Sequence, residues 1–266
     1  MFSFYKCNHF PWYVLLSTDM SDLLATIQKR MARSVKEYDM IHPGDRVLLA
    51  VSGGKDSMTM ARVFPLLRRG LGIDFEFAAL HVRSDFAQSV DLSAMKGFLD
   101  DWGVPWEIIE VGVQKRLKPG QKMNCYWCST QRRTELLKYA RAKGYNKIAL
   151  GHHMDDILET FLMNMMLKGE LSTMMPVLPY EQYPQTVIRP MSLLSEEEII
   201  AFADWSGIRK YACTCGYDTQ SRRRDVRRVL DTMEEEFGRD VKRKMFQAMG
   251  NPVLSYLPVP QKNPAG

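Results

Sequence analysis

Residues 46–57, RVLLAVSGGKDS, constrain the fold more than any other stretch of the chain. Arg46–Val51 is a short aliphatic run of the kind that forms a buried strand. It passes directly into Ser52-Gly53-Gly54-Lys55-Asp56-Ser57, and a helical pattern follows to about Arg69, with a kink expected at Pro65 and a stop at Gly70. A strand that delivers into glycines and then a helix is how a parallel sheet binds phosphate, because first-turn amides and the helix dipole both face the strand end. Gly53 and Gly54 let backbone N–H groups approach an anion closely, Ser52 and Ser57 add hydroxyls, and Lys55 adds a positive charge. The run is neither G-x-x-x-x-G-K-[ST] nor G-x-G-x-x-G, which excludes a Walker loop and speaks against a dinucleotide site.

The strand–helix alternation continues downstream. Strands are expected at Phe75–Val82, Trp106–Val111, Lys147–Leu150 and Thr186–Ile188. Between and around them, helices are expected over 21–40, near Ser93–Trp102, over Thr130–Lys143, over Asp155–Met166, and from a Ser195/Glu198 capping box to Trp205. Such alternation predicts an α/β fold, a Rossmann-like doubly wound parallel sheet with helical N- and C-terminal appendages. The expected organisation is an extension at 1–19, a helix and turn at 20–44, the catalytic domain at 45–212, a Cys/Arg-rich helical region at 213–251 and a loose tail at 252–266. Within the C-terminal region, helices are expected at Arg222–Phe237 and Arg239–Met249.

Composition sets the outer bounds. At 266 residues and 45% hydrophobic the chain is an ordinary globular protein. Its longest apolar runs, such as Val47–Val51 and Trp12–Leu16, fall far short of the ~18 residues of a membrane span. Pro11 breaks the N-terminal run and no cleavage site follows it, so no secretory signal is expected. The net charge of +5 is mild, but Arg222, Arg223, Arg224, Arg227 and Arg228 crowd one short segment. Lys115, Arg116, Lys118 and Lys122 crowd another. Such clusters suit a phosphate backbone, or else a solvated helix face.

Five cysteines fall as Cys7, a Cys125/Cys128 pair and a Cys213/Cys215 pair. Tight C-x-x-C and C-x-C spacings in an odd set speak for metal or redox chemistry in a reducing, cytoplasmic compartment. Cys125 and Cys128 enter a helix, where the dipole favours thiolates. Spacing alone leaves zinc on four thiolates, a [4Fe-4S] cluster on three, and a persulfide-forming pair as alternatives. In LGHHMDD, Gly151 and the two histidines follow the fourth strand, and Asp155 and Asp156 open the next helix. The aspartates suit either the helix dipole or Mg²⁺ beside ATP phosphates. Arg132 and Arg133 stand one turn beyond Cys128, where a guanidinium could stabilise developing phosphate charge.

SGGKDS is similar to the pyrophosphate loop of the PP-loop ATPases, which cleave ATP between its α- and β-phosphates. Taken in order, SGGKDS, NCYWCSTQRR, KIALGHHMDDILETFLMNMM, VIRP and CTCG resemble the tRNA 2-thiocytidine synthetase (TtcA) family, over about Leu24 to Leu254. The resemblance implies a cytoplasmic, homodimeric enzyme that uses ATP and Mg²⁺, with an ATP site at Ser52, Gly53, Gly54, Lys55, Asp56, Ser57 and Gly151. It implies Lys55, Asp56, Asp155, Asp156 and Arg132 in catalysis, and a [4Fe-4S] cluster on Cys125, Cys128 and Cys215. The second cysteine pair is one residue shorter here than the family's C-x-x-C-G, which leaves Cys213 as the other choice for the third ligand. Cytidine 32 of a tRNA anticodon loop is the implied substrate, gripped by Lys118, Lys122, Arg222, Arg223, Arg224, Arg227 and Arg228. In the reaction so implied, the base carbonyl attacks the α-phosphate and expels pyrophosphate, after which sulfur from an external donor displaces AMP. Rival readings are another PP-loop tRNA enzyme, such as a 2-thiouridine synthetase, and a zinc-stabilised nucleotide-binding protein without thiolase activity.

Overall fold

The computed structural model describes residues 20–209 and 222–258; Cys7, Cys213 and Cys215 lie outside the described residues, as does the expected extension at 1–19. The elements in chain order are α1 (Met20–Glu37), β1 (Arg46–Ala50), α2 (Lys55–Leu71), β2 (Glu76–Ser84), α3 (Ser93–Asp101), β3 (Trp106–Val111), α4 (Cys125–Ala142), β4 (Lys147–Ala149), α5 (Met154–Lys168), β5 (Val177–Pro179), β6 (Thr186–Ile188), α6 (Glu196–Trp205), α7 (Arg222–Phe237) and α8 (Val241–Met249). They fall into two compact units, one within residues 20–153 and 176–209, the other within 154–175 and 222–258. No described helix is long and apolar enough to cross a membrane.

The first unit is built on a six-stranded sheet in the order β3-β2-β1-β4-β6-β5. Every pairing is parallel except the last, in which β5 runs antiparallel to β6. Residues along β1 alternate between two hydrophobic cores. Val47, Leu49 and Val51 pack with α1, α2 and α6, whereas Leu48 packs with Leu136, Leu137 and Ala140 of α4. A strand buried on both faces reads as a continuous apolar run because it has no solvent side, and β1 does. The chain leaves β1 towards β2 and β3, then returns to β4 on the other flank. The strand order therefore reverses at the C-terminal ends of β1 and β4, where doubly wound sheets bind ligands.

Local chemistry sets the helix ends. The Ser195–Glu198 capping box is present in full at the start of α6. Elsewhere the structure departs from the sequence expectation. Gly70 does not end α2; the helix runs on to Leu71 and closes on Gly72, which takes a left-handed φ of 66°. A Cβ at Gly70 would stand 2.9 Å from Nε2 of Gln28, the mobile end of a side chain on α1. Pro65 lies inside α2 without ending it. Helix α4 begins at Cys125 rather than Thr130, because Asn124 caps it by accepting the Trp127 N–H at 2.8 Å. Strand β5 was not expected at all.

The second unit holds α5, α7 and α8 around a small core of its own. Met154, Leu158 and Leu162 on α5 meet Val226 and Leu230 on α7, with Met245 and Phe246 of α8 packed against them. Its segment 154–175 comes from the middle of the region read as the catalytic domain.

Candidate active site

The loop after β1 is held by its own serines. The Ser57 hydroxyl accepts the Ser52 N–H at 3.0 Å and donates to the Gly54 carbonyl at 3.0 Å. With that proton committed, the Ser52 hydroxyl is the donor across the 3.0 Å between the two oxygens, and it accepts the Gly54 N–H at 3.3 Å. Gly53 has a φ of 83°, a backbone state that disfavours any other residue. Gly54 is the N-cap of α2 and has no side chain to occupy the first amides of the helix. From the other strand of the switch point, Gly151 presses on this loop. A Cβ there would lie 3.1 Å from Ser57 N and 3.2 Å from Asp56 C, so only glycine fits without moving backbone.

The charges of the loop are paired within this unit. Lys55 Nζ lies 2.9 Å from Asp56 and 3.0 Å from Glu196 in the first turn of α6. Burial alone would depress the lysine, but the two carboxylates outweigh it and hold the pKa above the ordinary value. His153 Nε2 lies 3.9 Å from Asp56 Oδ1, and Arg189 Nε approaches His152 Nδ1 at 3.2 Å.

Beside the loop is a small, half-open cleft lined by Ser52, His81, Val82, Arg83, Ser84, Ala87, Val90, Leu92 and Arg132. The structure therefore brings Arg132, from α4, to the same cleft as Ser52; its Nε donates to the Val82 carbonyl at 3.1 Å. His81 is buried with Nδ1 at 2.8 Å from the Val51 carbonyl, and burial pushes its pKa below the usual histidine value. A neutral ring donates from Nδ1 to that carbonyl, leaving Nε2 as an acceptor. Ser84, another wall residue, has its hydroxyl 3.9 Å from Cys128 Sγ. Sequence reasoning missed His81 and Ser84. His81 lies inside the expected strand Phe75–Val82 and Ser84 just beyond its end, and only the sheet order reveals that β2, which runs on to Ser84, borders the loop.

Cys125 is exposed and Cys128 half-buried, in the first turn of α4. A spacing of three residues puts both on neighbouring sides of the helix, suited to one metal centre. Trp127 between them anchors the turn through Nε1, which donates to the Val113 carbonyl at 3.1 Å. Two thiols fit an iron–sulfur cluster or zinc in donor type. The third and fourth donors of the sequence reading lie outside the described residues. Among the described residues, no group of three or more His, Cys, Asp or Glu side chains is placed to hold a metal ion. Lys115, Lys118 and Lys122 are exposed on the connection before α4, whereas Arg116 pairs with Glu135 at 2.9 Å.

In the second unit, the acidic face of α5 is matched by cations. Lys242 lies 3.5 Å from Asp155, 3.2 Å from Asp231 and 2.8 Å from Glu234. Burial works to lower the Lys242 pKa, but the three carboxylates raise it well above the ordinary lysine range. Arg223 reaches Asp156 at 3.4 Å, and Arg227 reaches the buried Glu159 at 2.8 Å. The basic cluster of α7 is thus divided. Arg223 and Arg227 face carboxylates of α5, while Arg222, Arg224 and Arg228 are exposed. The aspartates are carboxylates of the right type for Mg²⁺, but each already stands beside a cation.

The family of PP-loop domains matches residues 23–233. Over 244 residues the chain is 34% identical to the tRNA-cytidine(32) 2-sulfurtransferase of Aliivibrio fischeri (strain MJ11), covering 90% of this chain and 78% of the relative. The chain belongs to the tRNA-cytidine(32) 2-sulfurtransferase family of PP-loop proteins. Another member of this family, from Vibrio cholerae serotype O1 (strain ATCC 39541), is 34% identical over 247 residues, with the same coverage. Among solved structures, the U34-tRNA thiolase NcsA from Methanococcus maripaludis with its [4Fe-4S] cluster superimposes with a TM-score of 0.68, over 91% of this chain and 84% of that one. At 19% identity, that likeness speaks for the fold alone. This member of the family combines the doubly wound sheet, the SGGKDS loop and the cysteine-bearing helix in one chain.

Proposed function

We propose that this chain adenylates the C2 carbonyl of cytidine 32 in a tRNA anticodon loop and replaces its oxygen with sulfur. The carrying observation is the cleft itself, whose wall includes Ser52 of the phosphate loop and also Ser84, 3.9 Å from Cys128. Phosphate chemistry and sulfur chemistry thus share one wall. The curated relatives, named for this reaction, support the same reading.

The amides of Gly53, Gly54 and the first turn of α2 receive the β- and γ-phosphates of ATP. Lys55, released from Asp56 and Glu196, follows the negative charge onto the departing pyrophosphate. Arg132 sits at the cleft to stabilise the α-phosphate as the carbonyl oxygen attacks it and pyrophosphate leaves. The base then carries AMP, a far better leaving group than oxide, and a sulfur nucleophile at C2 expels it. Water has to be kept from the adenylated base, and Val82 and Leu92 are among the apolar residues of the cleft wall beside it. A [4Fe-4S] cluster on Cys125, Cys128 and Cys215 or Cys213 would supply an iron site for sulfur, and Mg²⁺ bound with ATP would screen its phosphates. A sulfur donor, a homodimeric assembly and a cytoplasmic location belong to the same reading. Lys118, Lys122 and the exposed arginines of α7 hold the tRNA backbone.

The test is anaerobic purification with iron and sulfide analysis, joined to nucleoside analysis of tRNA from a deletion strain with and without the gene restored. About four irons per chain and a loss of 2-thiocytidine that the gene reverses are expected. Loss of 2-thiouridine instead moves the chemistry to another base. Zinc without sulfide, with both thionucleosides intact, refutes the thiolase reading.

A further inference from the structure

Between the two cysteines of α4 stands a ring that the chemistry above does not use. Tyr126 is 81% exposed. Its turn is tied down by hydrogen bonds. The Tyr126 carbonyl accepts the hydroxyls of Ser129 at 3.0 Å and Thr130 at 2.8 Å. Asn124 caps the same turn, and Trp127 ties it to Val113. A large ring is thus held in water on a rigid turn next to Cys125. The connection leading into that turn exposes Lys115, Lys118 and Lys122, a positive approach that suits a polyanion. A pyrimidine must leave its stack in the anticodon loop before its C2 can meet sulfur, and it leaves stacking energy behind. An aromatic face beside the cysteines returns that energy. Every base has a π-face to offer it.

We propose that Tyr126 is the stacking platform for a nucleobase of the anticodon loop, holding the RNA against the cysteine-bearing end of α4. This rests on the thiolase reading and assigns it a substrate-positioning residue. Tyr126 is a positioning residue rather than a catalytic one, because it moves no proton and forms no bond.

The experiment uses the intact holoenzyme and a synthetic anticodon stem-loop RNA. Binding is measured by fluorescence anisotropy over a series of salt concentrations for wild type, Tyr126→Ala, Tyr126→Phe and Tyr126→Trp, with iron content assayed in parallel. Tyr126→Ala is expected to weaken binding about tenfold at every salt concentration, leaving the slope of log K against log salt unchanged. Tyr126→Phe and Tyr126→Trp keep wild-type affinity, because the ring and not the hydroxyl stacks. As a contrast, Lys122→Ala is expected to reduce the slope by about one. Wild-type affinity in Tyr126→Ala overturns the proposal, and so does a weakened variant that has lost iron or changed slope. A wild-type enzyme that does not bind the stem-loop also overturns it. The thiolase reading fails separately, if the wild-type enzyme binds the stem-loop yet forms no thionucleoside in tRNA.

Discussion

A methyl group at position 151 would meet backbone atoms of Ser57 and Asp56 at 3.1–3.2 Å, whereas one at position 54 meets only the Ser52 hydroxyl, at 3.5 Å. The two glycines of the site therefore serve different ends. Gly151 allows the end of β4 to approach the phosphate loop, and Gly54 keeps the loop open to its ligand. Gly151→Ala is expected to push the loop from its place and lower the rate of ATP-dependent pyrophosphate release by at least about tenfold, with a stability loss of about 1–3 kcal/mol. Gly54→Ala is expected to leave the melting temperature nearly unchanged while weakening ATP binding. Calorimetric ATP titration and thermal melts on both variants check this; equal effects of the two substitutions would contradict it. SGGKDS announced the phosphate loop from its spacing. Gly151 came into view only through family resemblance, because a close approach between two strand ends leaves no local pattern in either.

At the scale of single elements, α7 shows most clearly what a charge count conceals. Its arginines read in sequence as one basic cluster. Helical spacing places Arg223 and Arg227 on one face, four residues apart, where they meet Asp156 and Glu159 of α5. Glu159 is fully buried, and burial pushes its carboxyl above the usual range despite Arg227 at 2.8 Å. Removing Arg227 leaves the buried carboxylate with only Arg223, 3.8 Å from its other oxygen; breaking a wholly buried pair costs about 3–5 kcal/mol, and less here, since Arg223 remains and Arg227 is half-exposed. Arg227→Ala is therefore expected to lower thermal stability by several degrees, with Glu159→Gln in the same chain restoring part of the loss. Arg222→Ala, at an exposed position, is expected to leave stability alone and weaken tRNA binding chiefly at low salt. Melting curves and filter binding separate the two arginines, and identical behaviour would dissolve the distinction. Other elements were legible to differing degrees. Strand β3, strand β6 and helix α7 begin and end where their patterns said. Strand β5 escaped notice because Val177–Pro179 is too short to alternate and ends in a proline that only an edge strand tolerates. Gly70 was misread because two glycines stand two residues apart, and only the backbone shows that Gly72 takes the left-handed cap.

For the molecule as a whole, unfolding is coupled to protons through groups that the fold buries. Burial holds the His81 pKa below 6.5, so on acidification the unfolded chain takes up that proton first. Stability from this group is full above pH 6.5 and is lost as the pH falls from there towards the folded-state pKa. Glu159 acts with the opposite sign. Its raised folded-state pKa gives the native state the first proton, so its contribution is lost as the pH rises from 4.5. His81→Gln keeps a side-chain donor for the Val51 carbonyl and removes the titration. It is expected to flatten the decline in unfolding free energy as the pH falls below 6.5, measured by urea denaturation. An unchanged slope would mean that His81 does not titrate across unfolding.

The alternation of β1 between two cores has a consequence for anyone who would transplant the site. Val47, Leu49 and Val51 are locked on one face of the sheet and Leu48 on the other, and the phosphate loop begins where that grip ends. Because side chains change face at every residue, one inserted or deleted residue in β1 would reverse the whole strand and carry Ser52 along by about 3.3 Å. The six residues of the motif therefore hold no coordinates of their own. A graft of SGGKDS onto a foreign strand would transfer letters without an address; a working transfer would have to bring the strand and the layers that clamp it.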